Sequence, residues 1–409
     1  MKLKTTVTLA ALALAATAAM AADQQGVTKT EILVGSIQDL SGPLAGYGKQ
    51  LRNGMQLRAE ELNEQGGVHG RKIRLVIEDD GYDPKKSVLA AQKLVNQDKI
   101  FIMAGHLGTA QNLAAMPVQF EKNVVNLFPL TAAREMYEPL HRLKYSFAAP
   151  YYDQIRISLP KMVKDKSVKK ICSIYQDDDF GLEVHRGAEA GLKAIGMELA
   201  EKTSFKRGAT DFSSQVAKMK AAGCELVVLG TIIRETIGTI GESRKTGFNP
   251  IFLGSSAAYT DLIHKLGGKA MDGMYATMTV ANPYLDDASP AIRFWAAKYK
   301  TKFNEDPAVF SVYGYLVMDT FISVVEKVGP NLTTDNFVKT MDTMSFTDPL
   351  FGSAPSNYTP TKRLGSEVSR LSQIQDGKWK VVSDYISDAP AAPAAKAPAT
   401  TATKAPAKK

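Results

Sequence analysis

The chain has 409 residues, of which 44% are hydrophobic and 22% are charged, so it is a globular protein long enough for two domains. Its net charge of +8 lies mainly at the ends, because removing two lysines before residue 22 and four after residue 388 leaves +2. This small balance does not indicate a nucleic-acid partner, and no internal run predicts a transmembrane helix.

The first 21 residues have the pattern of a secretory signal peptide. Lys2 and Lys4 form its charged start, residues 7–16 its apolar core and residues 19–21 a small-residue cleavage site. No cysteine follows that site, so a lipid anchor is not expected. We therefore expect a soluble, exported protein that begins near Ala22.

The stretch 32–48, ILVGSIQDLSGPLAGYG, predicts a strand, then a turn that leads into a helix, which we call a corner. Residues 32–36 form an apolar run typical of a buried strand, and a helical stripe begins at Leu51. The corner between them is rich in glycine and would present backbone N–H groups at a helix N-terminus, where an anion is favoured. The alternative is an ordinary strand-to-helix turn.

Strand and helix patterns alternate along most of the remaining chain. In the first half, strands are predicted at 73–78, 100–104 and 124–128, and helices at 87–96 and 110–121. After Ala149 the alternation restarts, with strands at 171–175, 199–205, 225–229 and 251–254 and helices at 181–195, 212–221 and 234–245. This alternation predicts parallel sheets with helices on both faces.

The last third predicts helices and one hairpin. Helical patterns cover 290–303, 309–328 and 334–341, and a hairpin of 367–374 with 378–385 turns at Asp376-Gly377. Residues 389–409 are almost entirely Ala, Pro, Thr and Lys, a composition that predicts disorder. The only cysteines, Cys172 and Cys224, fall in or beside predicted strands. We interpret both as buried thiols, because side chains of neighbouring parallel strands are poorly placed for a bridge.

The usual enzyme and metal motifs are absent from the sequence. It contains no phosphate-binding G-x-x-x-x-G-K-[ST], no G-x-G-x-x-G after the first strand, no G-x-S-x-G and no H-E-x-x-H. The five histidines lack metal-ligand spacing, and Asp177-Asp178-Asp179 is more typical of a solvated loop than of a cation site. We therefore expect no catalytic residues, no cofactor and no metal, and a protein that binds without chemistry.

Several ordered motifs support a family resemblance. They are GSIQDLSGPLAGYG at 35–48, NEQGGVHGRKIRLV at 63–76, D-D-x-x-D-P at 79–84, GHL at 105–107 and DFG at 179–181. With these motifs, residues 31–385 resemble the periplasmic solute-binding proteins of branched-chain amino acid ABC importers, the leucine-binding group. The resemblance implies a type I periplasmic binding fold: an α/β protein of two doubly wound parallel-sheet lobes joined by three crossover strands.

The resemblance also implies a division of the chain. The first lobe is expected to comprise 22–149 and 279–366, and the second lobe 150–278 and 367–388. The signal peptide (1–21) precedes them and the disordered tail (389–409) follows.

Carried across from the family, the ligand pocket falls on loops of both lobes. The resemblance places Tyr47 in the pocket wall, Thr109 at the ligand carboxylate, Leu130 and Thr131 in a second carboxylate-binding loop, and Phe180 where the family has a tyrosine. The alternative for the two threonines is turn capping, and for the two aromatic residues core or hinge packing.

Two family features are missing. The acidic residue that binds a ligand ammonium falls at Ser256, and its neighbouring tyrosine falls near Ile232. A buried ammonium without a carboxylate partner is costly, so we doubt a standard α-amino acid ligand. Tyr152 adds to the aromatic character of the predicted site. The family's disulfide cysteines are also replaced, by Tyr82 and Gly108.

The leading hypothesis is a periplasmic receptor that captures a small carboxylate, aromatic, aliphatic or amino acid, for an ABC permease and ATPase. The expected state is a monomer. One alternative is a sensor in which the same clamp reports amides or urea to a signalling partner. An exported enzyme that uses Ser256 is the third class.

Overall fold

The computed structural model describes residues 24–388. The predicted signal peptide and the predicted disordered tail lie outside the described residues. Within them, two main sheets form, one of five strands and one of seven, together with a short two-stranded sheet.

The first lobe is built on the five-stranded sheet. Its strands are β1 (Glu31–Gln38), β2 (Lys72–Asp79), β3 (Ile102–Ala104), β4 (Val125–Leu127) and β5 (Lys144–Tyr145). Its helices are α1 (Ala45–Glu64), α2 (Pro84–Gln92), α3 (Thr109–Glu121), α9 (Pro290–Phe303), α10 (Val309–Val328) and α11 (Thr334–Met341). The short strands β11 (Ser345–Phe346) and β12 (Ser356–Asn357) follow α11. All pairings within the five-stranded sheet are parallel.

The second lobe is built on the seven-stranded sheet. Its strands are β6 (Ile171–Gln176), β7 (Glu201–Phe205), β8 (Leu226–Gly230), β9 (Ile251–Gly254), β10 (Tyr275–Met278), β13 (Arg370–Gln375) and β14 (Lys378–Val381). Its helices are α4 (Tyr151–Lys166), α5 (Asp179–Ala194), α6 (Ser213–Ala221), α7 (Arg234–Lys245) and α8 (Asp261–Gly267). Strands β6 to β10 pair in parallel, and the β13–β14 hairpin adds two antiparallel strands at one edge. The strand order is β2-β1-β3-β4-β5 in the first lobe's sheet and β14-β13-β10-β9-β8-β6-β7 in the second lobe's sheet, and β11 pairs with β12.

Burial of alternate residues in β1 explains why this strand has helices on both faces. Ile32 and Val34 belong to the large core that includes α1 and α10, whereas Leu33 and Ile37 join a second cluster with α2 and α3. Among the described residues α10 alone is long and apolar enough to cross a membrane, with a mean hydropathy of 1.4. Because 67% of that apolar window is buried in the fold, α10 is a core helix.

The chain passes between the two sheets three times, as the fold prediction requires. The crossover segments follow β5, follow β10 and precede β13. The first and third lie side by side, because Ser146 donates its N–H to the Arg363 carbonyl and accepts from the Gly365 N–H, at 2.8 Å each. These segments form the hinge between the lobes.

The interpretation of the cysteines as free thiols is wrong. Cys172 and Cys224 form a disulfide, with their Cα atoms 5.8 Å apart. Cys172 lies on β6, but Cys224 lies in the turn just before the neighbouring strand β8. Its side chain is therefore not directed by the strand pleat, and the argument from paired parallel strands does not apply to it.

The predicted elements are confirmed with small shifts at their ends, and the hairpin turns at Asp376 and Gly377 with φ of 53° and 69°. Six strands and helices were not predicted: β5, β10, β11, β12, α4 and α8. The strands β5 and β10 are only two and four residues long, and α4 contains Pro160, a residue that normally argues against a helix interior.

Candidate functional site

A small cavity lies between the two lobes. Its volume is about 30 Å³, room for roughly one or two water molecules, so the cleft is closed. The first lobe contributes Leu44, Tyr47, Tyr82, Leu107, Gly108, Thr109, Leu130, Thr131 and Phe310, and the second lobe Tyr151, Phe180, Ile232 and Ala257. Six of the eight predicted site residues are therefore brought together: Tyr47, Thr109, Leu130, Thr131, Phe180 and Ile232.

The N-terminus of α3 opens into this cavity. Gly108 precedes the helix with φ of 99°, a conformation that favours glycine, and no side chain caps the helix. Within the described chain, Asn112 is the first α3 residue whose N–H bonds back to the corner, reaching the Gly108 carbonyl at 3.1 Å. The N–H groups of the first helical turn have no intrahelical acceptor, so this end of α3 is suited to an anion.

Hydroxyl groups cluster beside this helix end. Thr109 Oγ1 and Thr131 Oγ1 are 2.6 Å apart, and Tyr151 lines the same cavity from the second lobe. Burial raises the pKa of Tyr151, so the group stays a neutral donor at physiological pH. The two threonines come from one lobe and the tyrosine from the other, and the cluster therefore spans the cleft.

The glycine-rich corner of residues 39–48 is arranged differently. The Asp39 carboxylate accepts from the N–H groups of Gly42 at 2.5 Å, Leu44 at 2.6 Å and Ser41 at 3.2 Å. The N–H groups that the sequence pattern offers to a ligand anion are therefore occupied by a carboxylate of the same corner. This corner positions Tyr47 but does not itself present an anion site.

Tyr47 joins the two lobes directly. Its hydroxyl donates to the Ala257 carbonyl at 2.7 Å across the cleft, and its ring stacks on Phe310 at 3.7 Å between centroids. Its pKa is raised well above the ordinary tyrosine value by burial first, and then by Tyr151 and the nearby Glu235. Tyr47 therefore remains neutral and acts as a donor in the closed form.

The rest of the cavity wall is apolar. Leu130 lies beside Leu107, with which it forms a backbone bridge. Phe180 packs edge-on against Tyr151 at 5.2 Å, and Ile232 completes the second-lobe side. Among the described lining residues none is Asp, Glu, Lys, Arg or His. An anion would be held here by hydroxyls and a helix end, without a counter-charge.

The structure places two predicted residues, Tyr152 and Ser256, outside the cavity wall. The Tyr152 ring lies 4.0 Å from the Arg134 guanidinium carbon, and the preceding residue, Tyr151, takes the place in the cleft. Ser256 is paired with Gln154, whose side chain accepts the Ser256 N–H and donates to its hydroxyl, at 2.9 Å each.

The sequence reasoning missed seven residues of the cavity wall, among them Tyr151 and Phe310, and it also missed Glu235, which lies outside that wall. Tyr151 and Tyr152 are adjacent, and only the phase of α4, which was not predicted, decides which one faces the cleft. Phe310 belongs to a distant part of the chain and carries no motif. Glu235, in the first turn of α7, is only 5% exposed, and burial raises its pKa. It lies three residues after Ile232 and is a buried carboxylate near the cleft.

Two polar contacts between the lobes flank the cavity. Arg134 makes a bidentate pair with Glu183 of α5, whose side chain is fully buried, with Nη2 and Oε1 2.7 Å apart. Arg207 of the second lobe donates to the Tyr82 carbonyl of the first lobe at 3.2 Å, and it is held by Asp178 of its own lobe at 2.6 Å. These contacts stabilise the closed arrangement of the lobes.

A hydrogen bond joins two loops where the family has a disulfide. Gln111 Nε2 donates to the Tyr82 carbonyl at 2.8 Å, and a Cβ at Gly108 would lie 3.0 Å from the Tyr82 ring. This contact keeps the loop before α2 against the start of α3. Residues 24–388 contain no group of three or more His, Cys, Asp or Glu side chains suited to a metal ion.

Comparison with known proteins agrees with this architecture. A family model described as periplasmic binding protein matches residues 31–378. The leucine-, isoleucine-, valine-, threonine-, and alanine-binding protein of Pseudomonas aeruginosa is 25% identical over 291 residues, which are 71% of this chain and 76% of that protein.

Two solved structures share the fold. A fatty acid ABC transporter substrate-binding protein from Thermomonospora curvata has a TM-score of 0.81 and 24% identity, covering 88% of this chain and 94% of its own. An ABC transporter solute-binding protein from R. palustris, in complex with benzoate, has a TM-score of 0.77 and 18% identity, covering 88% and 98%. With two α/β lobes, three crossovers and a family match over most of its length, the chain belongs to the periplasmic binding proteins, as a type I solute-binding protein of the branched-chain amino acid type.

Proposed function

We propose that this protein captures a small carboxylate, aromatic or aliphatic, between its lobes and delivers it to an ABC permease and its ATPase. The observation that carries the proposal is the uncapped N-terminus of α3 beside the hydroxyls of Thr109 and Thr131, with Tyr151 in the same cavity wall. It lies in a cleft whose described lining has no charged side chain. The ligand contacts we propose are these three residues with Tyr47, Leu130, Phe180 and Ile232.

The chemistry of this corner suits a carboxylate. Backbone N–H groups at a helix N-terminus and neutral hydroxyls form charge-assisted hydrogen bonds with an anion, and these are stronger than neutral pairs. The helix end attracts negative charge without a buried cation. The surrounding aromatic and aliphatic side chains then suit an apolar body on the same ligand.

A ligand ammonium has no partner in the cavity wall. Ser256 is held by Gln154 and Ile232 is apolar, so we favour carboxylic acids that lack an α-amino group. Glu235 is the buried carboxylate that would pair with an ammonium if the ligand is an amino acid. Similar proteins support both ligand kinds: the P. aeruginosa relative is named for amino acids, and the R. palustris structure holds benzoate.

The uncharged lining also suits a neutral amide, so a sensor of amides or urea is the second candidate. In either role the protein would bind without catalysing a reaction. We see no activated nucleophile, because the Ser256 hydroxyl accepts a hydrogen bond from the Gln154 amide and, among the described contacts, donates to no general base that could take its proton.

Matched ligands test the proposal by calorimetry and thermal shift. The pairs are benzoate with benzamide, and 4-methylpentanoate with leucine, which differ in the carboxylate or in the ammonium alone. We expect the carboxylates to bind and raise the melting temperature, benzamide to fail, and leucine to bind more weakly than 4-methylpentanoate. Binding of benzamide but not benzoate would favour the sensor.

Tighter binding of leucine than of 4-methylpentanoate would overturn our choice of ligand class. Glu235→Gln should then abolish the preference for leucine. Delivery to an importer is tested separately, by uptake of the radiolabelled ligand in cells with and without the gene.

We also propose export and a lobe division. N-terminal sequencing of the secreted protein should begin near Ala22, and the protein should run as a monomer in gel filtration. The first lobe is proposed to comprise 22–149 and 279–366, and the second 150–278 and 367–388.

A further inference from the structure

A second, larger cavity lies at the hinge. Its volume is about 470 Å³, within the usual range for a small-molecule site. All three crossover segments contribute to its wall, with Phe147 from the first, Thr279 from the second and Val368 from the third. The remaining wall is formed by α10, the segment 344–356 and Phe128. We call this space the hinge cavity.

The wall of the hinge cavity is largely apolar and aromatic. Tyr313 and Tyr315 come from α10, Phe346 and Phe351 from the segment that covers it, and Phe128 from the end of β4. Aromatic walls of this kind supply contact area for a flat or aliphatic ligand. The cleft described above is a separate space, and the two share no lining residue.

The charged groups of the hinge cavity are already paired. Its described lining contains two carboxylates and no lysine, arginine or histidine. Asp319 accepts from Arg58 Nε at 2.6 Å, and Asp348 accepts from the N–H groups of Leu350, Phe351 and Ser353 at 2.9–3.2 Å. An anion would therefore meet negative charge without a cation, and a cation would have to displace existing partners.

We propose that the hinge cavity is a second ligand site, for a neutral, predominantly apolar molecule such as an arylalkyl alcohol. The site differs in chemistry from the cleft, where an uncapped helix end favours a carboxylate. The proposal rests on the geometry of the hinge and does not depend on which solute the cleft takes.

Helix α10 connects the two spaces. Tyr313 lines the hinge cavity, and its ring contacts Phe310 one turn earlier at 5.7 Å. Phe310 lines the cleft and stacks on Tyr47. Because the same helix and all three crossovers border the hinge cavity, a ligand there contacts groups that must move when the lobes separate, and its occupation shifts the balance between open and closed forms.

Binding is tested with 4-phenyl-1-butanol and its carboxylate counterpart, 4-phenylbutanoate. The chain has two tryptophans, and Trp295 contacts the cavity-lining residues Phe351 at 4.9 Å and Tyr315 at 5.5 Å. In the Trp379→Phe variant, Trp295 is therefore the only tryptophan and reports on the hinge cavity. We expect the alcohol to change its fluorescence saturably and the carboxylate to do so at least tenfold more weakly.

Substitutions on α10 locate the binding. Ser323→Phe fills the cavity and should weaken alcohol binding at least tenfold, and Thr320→Phe serves the same purpose if that variant fails to fold. Lys327→Ala, exposed on the same helix, and Thr109→Val, in the cleft, should leave it unchanged. No saturable change with the alcohol, equal binding by Ser323→Phe and Lys327→Ala, or loss of binding in Thr109→Val would overturn the site.

Lobe movement is measured by the distance between spin labels. Leu89 on α2 and Leu266 on α8 are 65% and 68% exposed on different lobes, and the chain's two native cysteines are joined to each other. Cysteines introduced at these positions would therefore be labelled selectively. We expect saturating alcohol to shift the distance distribution, and to have no effect with Ser323→Phe. An unchanged distribution would overturn the coupling.

Discussion

The first lobe contains two corners of the same construction that behave in opposite ways. Each runs from the end of a parallel strand through glycine into a helix, the first from β1 into α1 and the second from β3 into α3. In the first corner, Asp39 accepts three N–H groups. Neither α1 nor α3 has a side-chain cap, but at the second corner no described carboxylate accepts the N–H groups, and the end of α3 faces the cleft.

The difference teaches that a glycine-rich corner is not in itself an anion site. A corner is available to a ligand only when no carboxylate of the protein occupies its N–H groups. Both corners fit the general description of a strand, a glycine turn and a helix start. The side chain of one residue decides between a structural role and a binding role.

The largest expected effect is in the first corner. Asp39→Ala leaves three N–H groups without their acceptor, so we expect the free energy of unfolding to fall by about 3 kcal/mol. Urea denaturation measures the loss. Asp39→Asn keeps one acceptor oxygen and should lose less. A loss below about 1 kcal/mol in the alanine variant would mean that solvent replaces the carboxylate, and the contrast between the corners would fail.

A histidine in the second corner should make the stability of the fold depend on pH. His106 is fully buried, its ring nitrogens have no partner among the described residues, and burial lowers its pKa from 6.5 to about 3. Between pH 6.5 and pH 3, His106 is therefore protonated in the unfolded chain and neutral in the native state. The free energy of unfolding is highest above pH 6.5 and falls as the pH drops. From pH 7.5 to pH 5.0 the free energy of unfolding falls by about 2 kcal/mol for this reason.

The test compares His106→Leu with the parent protein in urea denaturation at both pH values. The variant should lose about 2 kcal/mol less on acidification, because the other histidines are common to both. Equal losses would show that His106 is protonated in the native state.

Substitutions in the two corners should also differ in their effect on ligand affinity. Thr109→Val removes a hydroxyl at the open corner, and we expect about a tenfold loss of affinity for the best carboxylate, since a hydrogen bond to a charged group contributes about 1.5 kcal/mol or more. Thr109→Ser is the conservative control. Ser41→Ala, at the occupied corner, should leave affinity unchanged. If Ser41→Ala weakens binding as much as Thr109→Val, the first corner also contacts the ligand.

The smallest effect is expected at Tyr47. Tyr47→Phe keeps the stacking on Phe310 but removes the bond to the Ala257 carbonyl, so the closed form loses about 1 kcal/mol and affinity falls about fivefold. Calorimetry with the same carboxylate measures it. An unchanged affinity would indicate that water or another donor satisfies this carbonyl.

Much of the fold could be predicted because its signals are local. Alternating strand and helix patterns, the Asp376-Gly377 turn and the ordered family motifs each depend on residues close together in the chain. The family resemblance, which those motifs carry, brought Thr109, Leu130 and Thr131 into the predicted pocket. Local patterns of this kind can be identified in the sequence without knowing how the elements pack.

The sequence by itself determined the fold class and the lobes' α/β character, and the family resemblance that it carries named six of the thirteen residues of the cleft wall. Only the tertiary structure decided that Asp39 fills the first corner, that Tyr151 and not Tyr152 faces the cleft, that Gln154 holds Ser256, and that Cys172 and Cys224 are joined. These outcomes depend on helix phase and on contacts between residues far apart in the chain. Such contacts arise only when the sheets and the two lobes pack together, so local sequence patterns do not predict them.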